Sequence, residues 1–308
     1  MTSESIIITG GAGFIGSNFI NYLVNNTIYH IICVDMLNYA SDTNRLPMDR
    51  ITFVKMDLSK NYKGLTELFE ENKINTVINF AAESCVDRSF EDPLHFTANN
   101  ILGTQNLLEV IRKLSYSVKF IHISTDEVYG EQDDNDVNEN DNLNPSNPYA
   151  ATKASIDLII KSYQYSYNLP IIIVRANNIY GPNQYPEKII PVTIQRLKND
   201  ESIPIHGNGS NKRKYLYIKD FIDALMIIWD NFGQNVGEIF NIGCDFEIDN
   251  LSLVNLIGSI MGKTPNIEFI KDRNYNDSRY SINYDKLKQL GWKPQINLEQ
   301  GLNMLING

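Results

Sequence analysis

Cysteine is scarce in this 308-residue chain, which has three: Cys33, Cys85 and Cys244. An odd, scattered set gives neither a disulfide framework nor metal-ligand spacing, so a reduced, cytoplasmic setting and no metal are expected. Long apolar runs are also missing. No stretch of eighteen apolar residues occurs, so no membrane-spanning helix is expected. No basic segment or cleavage site precedes the first apolar run, so no secretory leader is expected. Positive charge is in deficit: 27 lysines and arginines against 37 aspartates and glutamates give a net charge of −10. Nucleic acid needs a basic face and is excluded as a partner. An anionic ligand would need a few local cations to overcome the global field.

What the chain does have is alternation. The runs "SIIITG" (5–10), "HIICVD" (30–35), "ITFVKMDL" (51–58), "TVINFAA" (76–82), "VKFIHIS" (118–124) and "PIIIVRANNIYG" (170–181) read as buried strands. Helical periodicity fills "FIGSNFINYLVNN" (14–26), "YKGLTELFEEN" (62–72), "HFTANNILGTQNLLEVIRKL" (95–114) and "NPYAATKASIDLIIKSYQYSY" (147–167). This order predicts an α/β fold, a doubly wound parallel sheet of Rossmann type with right-handed crossovers. Beyond Gly181 the pattern loosens. Residues 1–180 therefore read as a cofactor-binding domain and 181–308 as a smaller substrate-binding lobe. "GEIFNIG" (237–243) reads as a strand returning to the main sheet. The polar, acidic "EQDDNDVNENDN" (131–142) reads as a solvated loop.

"ITGGAGFIG" (8–16) places Gly10, Gly13 and Gly16 between the first strand and the first helix. Glycines there allow a tight turn and close backbone approach to a pyrophosphate, and the helix start offers N–H groups with partial positive charge. Phe14 and Ile15 open that helix. Nineteen residues after Gly16 the second strand ends in Asp35, whose carboxylate can accept both ribose hydroxyls and would repel a 2′-phosphate. NAD is thus favoured over NADP. Asp57 can either receive the adenine amino group or cap a turn.

Tyr149 and Lys153 form Y-x-x-x-K at a helix start, with both side chains on one face. A lysine and a nicotinamide cation beside the phenol favour its ionised form, which can take the proton of a sugar hydroxyl as hydride leaves the carbon. Upstream, "STDEVYG" (124–130) puts Thr125, Asp126 and Glu127 at a strand tip, where open α/β sheets bind ligands. Two adjacent carboxyls divide into an acid and a base, because ionising both is disfavoured. A hydride exchange alone needs no such pair, whereas loss of water does.

Together with "NFAAES" (79–84) and "NNILGTQNLLE" (99–109), these features resemble the extended short-chain dehydrogenase/reductases over the whole chain. The Asp-Glu pair resembles the nucleotide-sugar 4,6-dehydratases. The likeness continues through "AAESCVDRSF" (81–90), "RANNIYGPNQYPEKIIP" (175–191), "PIHGNGSNKRKYLYIKD" (204–220) and "DRNYNDSRY" (272–280). The resemblance implies that Thr125 polarises the C4 oxygen, Asp126 is the acid towards C6 and Glu127 the base at C5. It implies cofactor contacts at Ala81 and substrate contacts at Ser84. It also implies Arg213 and Arg279 on a pyrophosphate, Asn178 and Lys188 near sugar and phosphates, and Glu187 near the sugar hydroxyls. A homodimer through helices 95–114 and 147–167 is implied as well.

Cys85 stands where bacterial dTDP-glucose enzymes usually have His, and Lys214-Tyr215 where they have Asp-Trp. "NYNDSRY" is closer to the "FNDQRY" of UDP-glucose enzymes than to "PGHDRRY". UDP-glucose is therefore favoured over dTDP-glucose. A nucleotide-sugar 4-epimerase is the alternative, and a non-catalytic NAD-binding protein is a third reading.

Overall fold

The computed structural model describes residues 4–132 and 135–308. Its seven-stranded sheet uses β1 (Ser5–Thr9), β2 (His30–Asp35), β3 (Thr52–Lys55), β4 (Thr76–Asn79), β5 (Lys119–Thr125), β6 (Ile171–Ala176) and, numbered below, a late strand Ile239–Ile242. Between these last two in sequence lie β7 (Asn178–Tyr180), β8 (Ile203–His206) and β9 (Lys212–Tyr217), which makes the late strand β10. The order is β10-β6-β5-β4-β1-β2-β3, and the pairings β1–β2, β1–β4, β2–β3 and β4–β5 are parallel. The order reverses after β3, as a doubly wound sheet requires. The expected return of the 237–243 segment is seen in β10 at the sheet edge. Two further strands, β11 (Glu247–Asp249) and β12 (Ile267–Ile270), build the small sheets β11-β9-β7 and β12-β8.

The strands are apolar runs because both faces are covered. On one face Ile7, Ile32, Val77, Phe120 and Ile173 meet Leu65, Phe69, Leu107, Leu108, Ile111, Ile156 and Ile160 from the flanking helices. Each such side chain contributes about 1.5–3 kcal/mol by leaving water.

The chain forms two compact units, each assembled from separate segments. The first contains 1–124, 147–174 and 228–239; the second contains 125–146, 175–227 and 240–308. No helix among the described residues is long and apolar enough to cross a membrane.

Three local expectations change. The helix expected over 95–114 is Pro93–Phe96, a π-helical stretch Thr97–Leu102, and Gly103–Lys113. The strand expected over 170–181 breaks at Asn177, whose side chain turns to other partners, and β7 then joins a different sheet. The described residues of the loop 131–142 are mostly exposed, as expected, but several of its carboxylates have partners in the fold. Asp133 and Asp134 lie outside the described residues, but Glu131 accepts from Ser278 N, Asp136 pairs with Lys214 and Arg279, and Glu139 accepts from Asn241 N. Composition marks such a segment as polar; it does not reveal that cations 78 and 143 residues away will meet it.

Candidate functional site

In the first unit the glycine-rich turn is built against the end of β4. Gly10 has φ +64°, and a Cβ there would lie 2.7 Å from Ala81 N. A Cβ on Gly16 would run into Gly10 O and lie 2.7 Å from Gly11 Cα. Only glycine permits that approach. Gly13 caps the helix Phe14–Asn26 with no side-chain acceptor. The first-turn amides of Phe14, Ile15 and Gly16 lie beyond the reach of intrahelical carbonyls, which leaves them suited to a phosphate. Asp35 is buried at the tip of β2; it accepts from Ala12 N at 3.0 Å, Leu37 N at 2.8 Å and Ser41 Oγ at 2.9 Å. It thereby ties the glycine turn to the loop after β2. This cradle fits a dinucleotide. Asp57 caps a turn through Ser59 N and Ser59 Oγ and pairs with Lys60 at 2.9 Å. Its first cause of shift, burial, raises its pKa, but the bonds from Ser59 and Lys60 prevail and hold it below the usual range.

Tyr149 and Lys153 lie in the helix Pro148–Tyr167, which starts at Asn147, whose side chain accepts from Ala150 N. Proline at the first position suits that start. Tyr149 is buried, edge-on to Phe96 at 6.5 Å. Lys153 is buried and donates to Ile123 O at 2.6 Å. Burial pushes its pKa down to about 8, against the opposing carboxylate of Asp157.

Asn100, inside the π-helical stretch, organises the neighbourhood. It accepts from Glu83 N (2.8 Å) and donates to Glu83 O (3.0 Å) and Thr152 Oγ1 (2.9 Å). One amide thus joins the 81–84 loop to the helix carrying Tyr149. π-Turns concentrate at functional sites. Ala81 N donates to Thr9 Oγ1, and Ser84 is exposed in the same loop.

In the second unit, Thr125 ends β5 and caps a single 3₁₀ turn, Asp126–Tyr129. Thr125 Oγ1 accepts from Glu127 N at 3.3 Å and donates to Asp126 Oδ1 at 3.2 Å. Asp126 is 2% exposed, whereas Glu127 is half-buried. Burial, with the charge of Glu127 adding to it, raises the Asp126 carboxyl to about 7. Asn177 Nδ2 donates to Asp126 Oδ2 at 2.8 Å, and its Oδ1 accepts from Cys244 N. Behind the turn, Tyr129 OH accepts from buried Arg175 and donates to Asn241 Oδ1. The turn is therefore fixed at both ends.

Arg213, on β9, donates to Lys212 O and Asp277 O and stacks over Tyr280 at 4.5 Å. A bridge between Lys212 and Arg279 brings the two arginines onto adjacent segments. Arg279 is paired with Glu247 at 2.6 Å and with Asp136. Asn178 starts β7, opposite Tyr215; Glu187 and Lys188 are half-buried, and Lys188 precedes the helix Ile189–Lys198. No cluster of three or more metal-ligating side chains occurs among the described residues.

The sequence reading passed over Asn100, Asn177, Glu83 and His122. The available signals were faint: polar residues inside apolar strands (His122) and consecutive asparagines at 99–100 and 177–178.

The GDP-mannose 4,6 dehydratase family matches residues 7–305. The chain is 41% identical to dTDP-D-glucose 4,6-dehydratase of Dictyostelium discoideum, over 97% of this chain and 80% of that one. It is 41% identical to a trifunctional UDP-glucose 4,6-dehydratase of Arabidopsis thaliana, over 97% of this chain and 46% of that one. Among solved structures, the dTDP-glucose 4,6-dehydratase of Streptomyces venezuelae with NAD and TYD bound superposes with a TM-score of 0.93 at 34% identity, covering 98% of this chain and 96% of that one. The parallel sheet, the glycine cradle with Asp35, the Tyr149/Lys153 helix and these likenesses agree: the chain belongs to the NAD-dependent nucleotide-sugar 4,6-dehydratases of the extended short-chain dehydrogenase/reductases.

Proposed function

We propose that the enzyme converts UDP-glucose to UDP-4-keto-6-deoxyglucose. The observation that carries the water-eliminating step is the unequal pair at the β5 tip, a buried Asp126 raised to about 7 beside a half-buried Glu127. Bound NAD supplies the redox chemistry, removal of hydride from C4 and its return to C6. The glycine turn, with Phe14, Ile15, Gly16, Asp35, Asp57 and Ala81, holds that cofactor. Tyr149 takes the C4 hydroxyl proton, and Lys153 sets its charge. Thr125 hydrogen-bonds the C4 oxygen as it becomes a ketone. The ketone acidifies C5–H, and Glu127 removes that proton. Asp126 delivers a proton to the C6 hydroxyl, which leaves as water. Glu127, after exchange with solvent, delivers a proton to C5 as C6 is reduced, and the C4 hydroxyl proton taken by Tyr149 makes up for the one Asp126 gave to the leaving water, so atoms and electrons balance over one turnover. Arg213 and Arg279 neutralise the pyrophosphate, as planar donor forks suit it. Ser84, Asn178, Glu187 and Lys188 orient the sugar and phosphates. In this reading residues 1–180 serve NAD and 181–308 chiefly serve the nucleotide sugar.

The preference for UDP rests on Lys214-Tyr215 and "NYNDSRY". The two nucleotides differ by one methyl on the base, worth about 1–3 kcal/mol in a pocket. Incubation with each glucose nucleotide, followed by detection of the 4-keto product in alkali, tests both levels. Higher kcat/KM on UDP-glucose is expected. Faster turnover of dTDP-glucose overturns the nucleotide assignment, and a galactose epimer as sole product overturns the dehydratase.

The working form is a homodimer of this chain, packed through the exposed apolar residues Leu94, Leu102, Leu158 and Tyr165 on the helices near residues 93–113 and 148–167. The three cysteines are buried and form no disulfide, which suits a reducing compartment, and we assign the enzyme to the cytoplasm.

A further inference from the structure

We propose that a buried run of polar side chains, Thr9, Asn79 and His122, fixes the His122 imidazole as its Nε2–H tautomer and so presents a donor to the Lys153 amine, making His122 a positioning residue for the Tyr149/Lys153 pair. The run can be followed from one end. Ala81 N donates to Thr9 Oγ1 at 3.3 Å, so the Thr9 hydroxyl hydrogen turns to Asn79 Oδ1, 2.5 Å away. The Asn79 amide nitrogen then faces Thr104 Oγ1 at 3.1 Å and His122 Nδ1 at 3.0 Å. Both amide hydrogens are used. His122 Nδ1 must accept, and the ring proton sits on Nε2. Turning the amide over would leave it with one donor bond instead of two in a dry interior, where an unmade hydrogen bond is expensive. Thr9, Asn79, Thr104, His122 and Lys153 are each no more than 3% exposed.

His122 Nε2 faces Lys153 Nζ at 3.3 Å and Asp157 Oδ1 at 3.9 Å. A neutral amine satisfies this geometry: it donates to Ile123 O and receives the Nε2 hydrogen on its lone pair. An ammonium has no lone pair and meets an N–H end-on. The charged groups facing the ring are Lys153 and Asp157, both from the helix Pro148–Tyr167. β1 contributes Thr9, β4 Asn79 and the helix Gly103–Lys113 Thr104, none of which titrates. Phe120 stacks parallel to the ring at 6.5 Å. Burial first, then the lysine, hold His122 well below its ordinary range, so the imidazole stays neutral. Lys153 then changes charge near neutral pH, and Tyr149 gains a neighbour that switches within the working range.

The test is the ring itself. The chain has four histidines, so long-range proton–nitrogen spectra of the ¹⁵N-histidine-labelled full-length protein are tractable, with His122→Phe supplying the assignment. A neutral Nε2–H ring is expected throughout about pH 6–9; an Nδ1–H ring or an imidazolium at neutral pH overturns the proposal. Asn79→Asp offers an acceptor to Nδ1 and should flip the tautomer, leaving Nε2 to accept from an ammonium. The alkaline limb of kcat should then rise by about one pH unit, and a flipped ring with an unmoved limb overturns the link to Lys153. This kinetic arm rests on the Tyr149/Lys153 reading above. If the wild-type enzyme turned over no nucleotide sugar, that reading would fail while the spectrum still decided the tautomer; if Asn79→Asp failed to fold, the wild-type spectrum alone would decide.

Discussion

Asp126 and Glu127 carry the same functional group on consecutive residues, yet one is enclosed and the other half open. Asp126 is raised to about 7, above its unfolded value of 3.8, so the folded state holds a proton that the unfolded state has lost between those values. Stability therefore falls as pH rises through that window. Asp126→Asn removes the slope: at about pH 8 it should stabilise the protein by roughly 1–3 kcal/mol, read from denaturant melts, while product formation collapses. A variant no more stable than wild type at that pH would count against the buried acid. Glu127→Gln should stop solvent deuterium entering C5 while C4 oxidation continues; exchange at the normal rate would mean another base. Tyr149→Phe should lose C4 oxidation itself, as single-turnover kinetics would reveal. The residues with these proposed roles were legible because each bears a reactive group at a motif position. Asn177 and Asn100 were not, since an amide acts through the partner it is folded against, and that partner lies 51 or 52 residues away.

Among the elements, the βαβ framework was readable because fully covered strands and one-sided helices impose distinct periods on the sequence. The turn joining β1 to the first helix was readable for a steric reason: at Gly10 and Gly16 backbone stands where a side chain would be. Gly16→Ala should cost about 1–3 kcal/mol and abolish NAD retention, measured as bound cofactor after gel filtration. The π-helical stretch Thr97–Leu102 was not legible, since its apolar period resembles that of the flanking α-helices; its buried residue is Asn100. Asn100→Ala strands the Glu83 amide and should cost about 1–3 kcal/mol, with the loss concentrated in hydrogen-exchange protection of the 81–84 loop. The acidic segment escaped for the opposite reason. Its composition was plain, but its partners are set by tertiary structure.

For the molecule as a whole, the acidic balance was immediate from composition, whereas the assembly of each unit from separate segments was not. Periodicity reports on neighbours in sequence, and Val137 rests against Ser281 and Asn283. The proposed dimer belongs to this scale. Leu158→Arg should halve the mass seen in sedimentation without altering the circular dichroism, and an unchanged mass would place the contact elsewhere. Assembly from separate segments also has a consequence for biosynthesis. The stretch around Asp136, just after the proposed acid and base, leaves the ribosome long before the segment that secures it, Asp136 and Ser281 being 145 residues apart. At bacterial to eukaryotic translation speeds that gap lasts on the order of ten seconds. That stretch is among the earlier parts of the chain to be made and among the last to be tied down, so a nascent polypeptide stalled before residue 281 would carry every side chain with a proposed catalytic role and still lack the clasp that holds Asp136 and Val137 in place.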